Sequence, residues 1–348
     1  MTDTDETAGG DLELLRATRF SLLDRSLVRE GRPPEESLRE TVRFAQAAER
    51  LGFHRFWVAE HHGVPGVAGS APTVLASAVA AATSRIRVGT GGVMLPNHRP
   101  LVVAEQFGVL EALYPGRVDL GLGRSLGFTG AVRRALGTGK EAAEGFAERL
   151  GELLDYLDGA GPVPALPAVA RRIPAFVLAG DAGADVAAAH GLPLVVAAGR
   201  DGQRLAATVR RYRDGFRPSA RATTPYVVLA LGVAVAATAR EAARRQLPEA
   251  WSVARSRVTG VFAPLVPAGR IPAEPDARER RYLAEARAGQ VHGTTAEVAA
   301  TLAALIRRTG ADEVLSTLST YDPAERLDSA GRLAELTMPS AAPSATTS

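Results

Sequence analysis

Eight short apolar strands that alternate with helices predict a closed (β/α)8 barrel for this chain. No linker between them is long enough to divide the repeat into two domains. Consecutive parallel strands need a helical crossover, and each predicted strand is followed by a helical segment. A doubly wound open sheet has the same local pattern and stays the alternative, although eight regular units favour the barrel. The chain has 348 residues, of which 46% are hydrophobic, so it can bury a large core.

Four strands and four helices make up the first half of the repeat. The predicted strands are short apolar runs at 19–23, 55–59, 86–88 and 118–122. The predicted helices show apolar residues at helical spacing and cover about 35–51, 72–82, 101–114 and 140–157. Gly52 ends the first of these helices, and Pro115-Gly116 turns the chain into the fourth strand.

The second half of the repeat is less regular. Its predicted strands cover 174–179, 193–197, 225–235 and 313–318. Its predicted helices cover about 185–190, 201–216, 239–256 and 296–308, and a final helix runs to about 336. The proline-containing stretch 258–290 does not fit one βα unit, so we expect an insertion between strands seven and eight, a candidate lid. Thr294 and Glu297 have the spacing of a helix capping box.

The barrel is expected to occupy residues 18–337 as a single domain. Residues 1–17 are acidic and then weakly helical, and we expect a flexible N-terminal segment. Residues 338–348 are of low complexity, and we expect a disordered tail.

Composition argues against several classes of function. Cysteine is absent, which excludes disulfides, thiolate zinc sites and cysteine nucleophiles. The net charge is only +3 and arginines alternate with acids along the helices, so we expect no nucleic-acid partner. No apolar run approaches the roughly 20 residues of a membrane helix, and we expect a cytoplasmic protein without membrane association. Lys140 is the only lysine and lies in a polar turn, which argues against Schiff-base chemistry.

The candidate ligand-binding residues follow the predicted strands, because such barrels bind ligands at the carboxyl ends of their strands. These residues are Ser21, Asp24, Glu60, His61, His62, Gly91, Gly92, Arg124, Ser125, Gly180, Asp181 and the segment 317–321. Two of the strands end in glycines, where the backbone can turn sharply or approach a ligand closely. An arginine beside a glycine turn can hold a phosphate or form an ordinary salt bridge at the rim, and both alternatives stay open for Arg124.

The sequence Glu60-His61-His62 allows three interpretations. Histidine titrates near neutral pH, so His61 or His62 could take part in acid–base chemistry or hydrogen bonding. Glu60 and one histidine could instead only satisfy backbone groups of the loop. A zinc site is least favoured, because adjacent histidines in an extended segment point to opposite sides and no second cluster of histidine and acid accompanies them. We therefore predict no metal site.

Several segments together resemble the bacterial-luciferase-like flavin-dependent monooxygenases. They are AERLGFHRFWVAEHH at 48–62, SRIRVGTGGVMLPNHRPLVVAEQF at 84–107, LYPGRVDLGLGRSLG at 113–127, GLPLVVA at 191–197 and TGADEVL at 309–315. The similarity spans almost the whole chain. It implies a (β/α)8 barrel, commonly dimeric, that takes reduced FMN as a dissociable co-substrate from a separate flavin reductase. Molecular oxygen would then form a flavin hydroperoxide that oxidises a small organic substrate.

The resemblance also implies roles for individual residues. His61 matches a histidine linked to catalysis, with His62 as the fallback. Gly91 and Gly92 match a pair joined by a non-proline cis peptide under the flavin ring, and Arg124 matches an arginine that holds the flavin phosphate. The other residues expected at the cofactor are Glu60, Ser125, Gly180 and Asp181.

One loop departs from the family pattern. Family members tend to carry a hydroxyl-bearing loop after the fifth strand that helps to hold the flavin phosphate, but this chain has Gly180-Asp181 there. The Asp181 carboxylate is expected either to repel the phosphate or to cap a helix through the amides of Gly183 and Ala184. Two alternatives to a monooxygenase stay open, namely a deazaflavin (F420)-dependent oxidoreductase and a catalytically inactive barrel that acts as a binding or partner subunit. Only the Asp181 loop supports the catalytically inactive barrel.

Overall fold

The computed structural model describes residues 3–169, 171–199 and 201–337. Its strands are β1 (Arg19–Asp24), β2 (Arg55–Val58), β3 (Arg87–Thr90), β4 (Val93–Met94), β5 (Val118–Gly123), β6 (Ala175–Leu178), β7 (Leu194–Ala197), β8 (Val227–Val235), β9 (Gln290–Gly293) and β10 (Glu313–Thr317). Its α-helices are α1 (Asp3–Ala17), α2 (Pro34–Arg50), α3 (Pro72–Ala81), α4 (Pro100–Leu113), α5 (Gly130–Ala135), α6 (Phe146–Asp158), α7 (Asp181–Ala189), α8 (Gly202–Asp214), α9 (Ala239–Thr259), α10 (Ala277–Arg287), α11 (Thr295–Thr309) and α12 (Pro323–Glu335). Short 3-10 helices cover Leu95–Asn97, Lys140–Ala143 and Ala268–Arg270.

Eight parallel strands close into a barrel in the order β1, β2, β3, β5, β6, β7, β8 and β10. The ring closes at Glu313 of β10, which lies opposite Val228 of β8 on one side and Arg19 of β1 on the other. Most side chains of these strands are buried, as expected for parallel strands covered by helices. The predicted (β/α)8 barrel is confirmed. β4 and β9 are additional short strands, which pair with β5 and β8 and were not predicted.

The amino-terminal part of the barrel interior contains a buried charge network that the sequence reasoning did not anticipate. Arg55 donates from Nη1 to Asp119 at 2.8 Å and from Nε to Glu313 at 2.8 Å. Burial alone would lower the pKa of Arg55, but these two carboxylates raise it above its ordinary value. Asp119 also accepts a bond from the Trp57 indole at 3.2 Å. Each buried charge is therefore paired, as buried ions require.

The segment 258–290 lies between β8 and β10 and includes α10, which packs on α9. Three backbone hydrogen bonds join it to the loops that follow the first two strands, one of them from Glu30 to the carbonyl of Leu265 at 2.8 Å. Leu265 donates to the carbonyl of Val28 at 2.8 Å, and Gly66 donates to the carbonyl of Phe262 at 2.9 Å. The segment therefore borders the rim at the carboxyl ends of the strands, and its action as a lid stays a prediction.

The N-terminal segment is helical, as the sequence indicated, and its flexibility stays a prediction. It forms α1, whose Leu15 is completely buried, and it packs against α11. Asp11 forms an ion pair with Arg307 of that helix at 2.5 Å.

The predicted capping box of Thr294 and Glu297 is present at the start of α11. The predicted disordered tail, 338–348, lies outside the described residues. In the described part of the chain, no helix is both long enough and apolar enough to cross a membrane.

Candidate active site

A cavity of about 350 Å³ opens at the carboxyl ends of β2, β3 and β5. Most of the predicted site residues line it, namely Glu60, His61, His62, Gly91, Gly92 and Ser125. Its other walls are mainly apolar side chains such as Met94 and Phe128. Cavities of this kind, mostly apolar with a few convergent polar groups, are typical of cofactor and substrate sites. Gly180 and Asp181 line a separate opening beside it, between β6 and β7.

The Gly91-Gly92 turn forms one wall of this cavity, and its peptide bond is cis, as predicted. The opposite side of the turn is tightly packed. A methyl group at Gly91 would lie 2.7 Å from Leu23 Cδ1, and one at Gly92 would lie 2.8 Å from the carbonyl oxygen of Gly121. Side chains therefore do not fit at either position, and only backbone faces the cavity here.

Glu60 is the buried centre of a hydrogen-bonded cluster. Its Oε1 accepts bonds from Nε2 of His62 at 2.7 Å and from Nε2 of His98 at 2.8 Å. Its Oε2 accepts a bond from the backbone amide of Met94 at 2.9 Å. Burial alone would raise the pKa of Glu60, but the bonds from His98, Met94 and His62 bring it below its ordinary value of 4.5. Glu60 is therefore ionised at neutral pH.

His98 is a member of this cluster that the sequence reasoning missed. It follows the 3-10 helix Leu95–Asn97, 38 residues after Glu60, and its imidazole is about one-third exposed. The statement that no second group of histidine and acid accompanies Glu60 and His62 was therefore wrong, since the described part of the chain contains the cluster Glu60, His62 and His98. The one available signal was the polar NHRP sequence shortly after the third strand.

His61 lies in a different environment from its neighbour. Its backbone amide donates to Gly69 at 2.8 Å, and its Nδ1 is buried without a hydrogen-bond partner in the described part of the chain. Burial, reinforced by the positive charge of Arg25, lowers the pKa of His61 from 6.5 to about 4. The imidazole is therefore neutral at pH 7. The expectation that it titrates near neutrality is wrong, while its ability to exchange hydrogen bonds with a ligand remains.

Arg124 and Ser125 follow β5 and are exposed. Arg124 has no ion pair within the described ranges, so the salt-bridge alternative is not realised. Its side chain passes the first turn of α7, since a methyl group at Gly183 would lie 4.0 Å from Arg124 Cδ. The first amides of a helix have no partner within the helix and carry partial positive charge. The aliphatic part of the Arg124 side chain therefore lies near the first turn of α7.

Asp181 does not adopt the predicted capping arrangement, and its effect on a bound phosphate stays a prediction. Its carboxylate does not cap α7, whose N-cap residue is Gly180. It forms an exposed ion pair with Arg204 of α8 and accepts a long bond from Thr208 at 3.4 Å. The hydrogen bond from Arg204 lowers the pKa of Asp181 below its ordinary value. The negative charge is thus paired with a neighbouring helix, which weakens the repulsion expected for a phosphate.

Comparison with known proteins identifies the family. The sequence profile described as luciferase-like monooxygenase matches residues 18–313 of this chain. The chain belongs to this family. A luciferase-like monooxygenase of Escherichia coli strain K12 is 35% identical over 317 residues, which cover 89% of this chain and 94% of the relative. The crystal structure of apo-MsnO8 is 33% identical with a TM-score of 0.82, and the match covers 93% of this chain and 98% of that protein.

More distant solved structures share the fold with this luciferase-like monooxygenase. One is the oxygenating constituent of a 3,6-diketocamphane monooxygenase from Pseudomonas putida with FMN, 18% identical with a TM-score of 0.70 over 92% of this chain and 97% of its own. Another is an F420-dependent secondary alcohol dehydrogenase with an F420–acetone adduct, which is 16% identical with a TM-score of 0.70. The match covers 92% of this chain and 99% of that protein. Proteins of this fold thus bind either FMN or F420. Membership of the family supports a monooxygenase activity, that is, an oxidoreductase activity, for this chain.

Proposed function

We propose that this protein is a flavin-dependent monooxygenase that uses reduced FMN and molecular oxygen to oxidise a small organic substrate. One observation carries the proposal. The cavity of about 350 Å³ has the Gly91-Gly92 backbone on one wall and His61 on another, and its wall residues Gly123 and Ser125 flank Arg124, which has no ion pair in the described part of the chain. A flat backbone wall suits a planar ring, and a free guanidinium suits a phosphate.

Arg124 and the first turn of α7 are the groups that would hold the phosphate. A guanidinium binds phosphate through two parallel hydrogen bonds, and a helix amino terminus adds unpaired amides. Arg124 does not have to break an ion pair in the described structure before it binds an anion. The charge of Asp181 is already held by Arg204, so one full positive charge remains at this end of the cavity.

His61 is proposed as the main catalytic side chain, with His62 beside it. A bound reduced flavin supplies the oxygen chemistry, so the protein needs no nucleophile of its own. The imidazole of His61 lines the cavity, and an imidazole can exchange a proton or a hydrogen bond with a ligand. Glu60 orients His62 through the 2.7 Å bond. The apolar residues Met94 and Phe128 would exclude water from the bound ligand.

We also propose that a separate flavin reductase supplies reduced FMN and that the protein is a homodimer, as the family resemblance implies. Apolar side chains are exposed on the outer faces of adjacent helices, Val74 on α3 and Val102, Val109 and Leu113 on α4. Such a surface suits association between copies of the chain. Light scattering that gives a monomeric mass at micromolar concentration would contradict the dimer.

Titration of the purified protein with oxidised FMN, reduced FMN and F420 tests the cofactor. We expect saturable binding of reduced FMN and weak or no binding of F420. Preferential binding of F420 would favour the deazaflavin-dependent oxidoreductase, and binding of neither cofactor would favour the inactive partner subunit. The sequence argument for that last alternative was the Asp181 carboxylate, which the structure pairs with Arg204.

A further inference from the structure

The cluster of Glu60, His62 and His98 brings three side chains with metal-binding atoms together. The Glu60 side chain is completely buried, and in the described structure its oxygens contact no arginine or lysine. The imidazoles of His62 and His98 both contact its Oε1. A cation at this place would give the buried carboxylate a permanent positive partner.

The donor atoms of the cluster match one class of cation. One carboxylate oxygen and two imidazole nitrogens lie within 4.8 Å of one another. Two histidines and one carboxylate form the protein ligands of several catalytic zinc sites and of non-haem iron sites. Calcium and magnesium prefer sites built from oxygen alone. We propose that Glu60, His62 and His98 bind a divalent transition-metal ion of the Zn²⁺ class, independently of any flavin.

Two of the three distances between ligand atoms lie within about 0.6 Å of those in a tetrahedral zinc site. Zinc bonds of about 2.0–2.1 Å in a tetrahedral arrangement separate neighbouring ligand atoms by about 3.3 Å. Glu60 Oε1 now lies 2.7 Å from His62 Nε2 and 2.8 Å from His98 Nε2, so the imidazoles must retreat by about half an ångström. Both imidazoles are partly exposed and can do so, whereas Glu60 is fixed.

Neighbouring backbone already holds the ligands in place. The Met94 amide occupies Oε2 of Glu60 at 2.9 Å, which leaves Oε1 for the ion. The backbone of His98 is fixed by its own amide, which donates to Leu95 at 3.0 Å, and by Arg149, which donates to its carbonyl at 3.3 Å. Glu60 and His62 both line the cavity, so the remaining coordination positions of the ion are open to water or to a small ligand there.

The test uses the untagged full-length protein, freed of metal by a chelator and without flavin. Calorimetric titration with Zn²⁺ is expected to give one saturable site per chain, and Co²⁺ is expected to give visible absorption bands of a site with nitrogen and oxygen ligands. His98→Gln is expected to weaken Zn²⁺ binding by about 100-fold or more, because loss of an outer hydrogen-bond partner alone costs about 10–100-fold. His62→Gln should do the same.

His190→Gln is the matched control, since His190 ends α7 and is not part of the cluster. The variant should leave the Zn²⁺ affinity within about two-fold of the wild type, because substitutions at independent sites do not affect each other. Far-UV circular dichroism of each metal-free variant checks that it is folded. Absence of saturable binding to the wild type, or equal binding by the wild type and both cluster variants, would overturn the proposal. Those results would leave the cluster as a hydrogen-bonded network.

Discussion

Arg124→Gln is expected to weaken the binding of FMN and to leave the binding of riboflavin, which lacks the phosphate, nearly unchanged. Arg124 is exposed and has no ion pair in the described structure, so its charge is available to a bound anion. Glutamine keeps most of the length and the polarity of the side chain but removes the charge. The variant therefore measures the contribution of the Arg124 charge to FMN binding with little change in the shape of the site.

The size of the effect follows from the exposure of the side chain. A hydrogen bond to a charged group contributes about 1.5–3 kcal/mol, and solvent screening at an exposed position favours the lower end of that range. Since about 1.4 kcal/mol corresponds to a factor of ten, we expect the Kd for FMN to rise about 10-fold. Quenching of flavin fluorescence measures both ligands. The difference between the two ligands should shrink at high salt because screening weakens the phosphate contact.

Two variants of the neighbouring ion pair serve as controls. Arg204→Gln leaves the Asp181 carboxylate without its partner, so it should also weaken FMN binding, and it shows how much the Asp181–Arg204 pair contributes. Asp181→Asn frees Arg204 and should tighten FMN binding without affecting riboflavin. An unchanged Kd for FMN in Arg124→Gln, or an equal loss of riboflavin affinity, would refute the assignment of Arg124 to the phosphate.

Three further predictions concern catalysis and stability. His61→Ala is expected to lower turnover about 10²–10⁴-fold with a modest change in FMN affinity, and steady-state rates within a few-fold of the wild type would make His61 structural. Arg55→Met leaves the buried Glu313 without its arginine, while Asp119 keeps Arg87, so denaturant unfolding should show a loss of about 3 kcal/mol, the lower end of the range for a broken buried ion pair, and a loss below about 1 kcal/mol would contradict this. Burial lowers the pKa of His54 from 6.5 to about 4, so the folded state resists a proton that the unfolded chain binds. The stability that His54 contributes above pH 6.5 is lost as the pH falls toward 4, and His54→Gln should flatten that decline in unfolding experiments, whereas an equal slope would refute the assignment.

The barrel could be predicted because its signal is local and repeated. Each βα unit shows its own periodicity, so an error in one unit does not disturb the others. β4 has only two residues, which is too short for a periodic pattern, and β9 (Gln290–Gly293) has only one apolar residue, Val291. The helical character of α1 was expected, but its packing was not, because its burial depends on contact with α11 near the other end of the chain.

The candidate site could be predicted only where adjacent residues carried the signal. Gly91-Gly92 and Glu60-His61-His62 are consecutive, and the ends of their strands meet at one rim. The contact of His98 with Glu60 depends on the path of the chain between them, and nothing in the local sequence reveals it. The pairing of Asp181 with Arg204 likewise joins two helices across 23 residues. Pairings of this kind arise from tertiary packing rather than from local sequence.

The flavin site and the proposed metal site are expected to be thermodynamically coupled, because the two share structural elements. The chain passes from the Gly91-Gly92 turn through β4 to His98, and the Met94 amide on this path holds Glu60. Any shift of the imidazoles toward an ion therefore acts on the wall of the cavity. Linkage requires the factor by which Zn²⁺ changes the Kd of FMN to equal the factor by which FMN changes the Kd of Zn²⁺. The test is to titrate FMN with and without Zn²⁺, and Zn²⁺ with and without FMN. If both ligands bind and neither Kd changes, the two sites are independent.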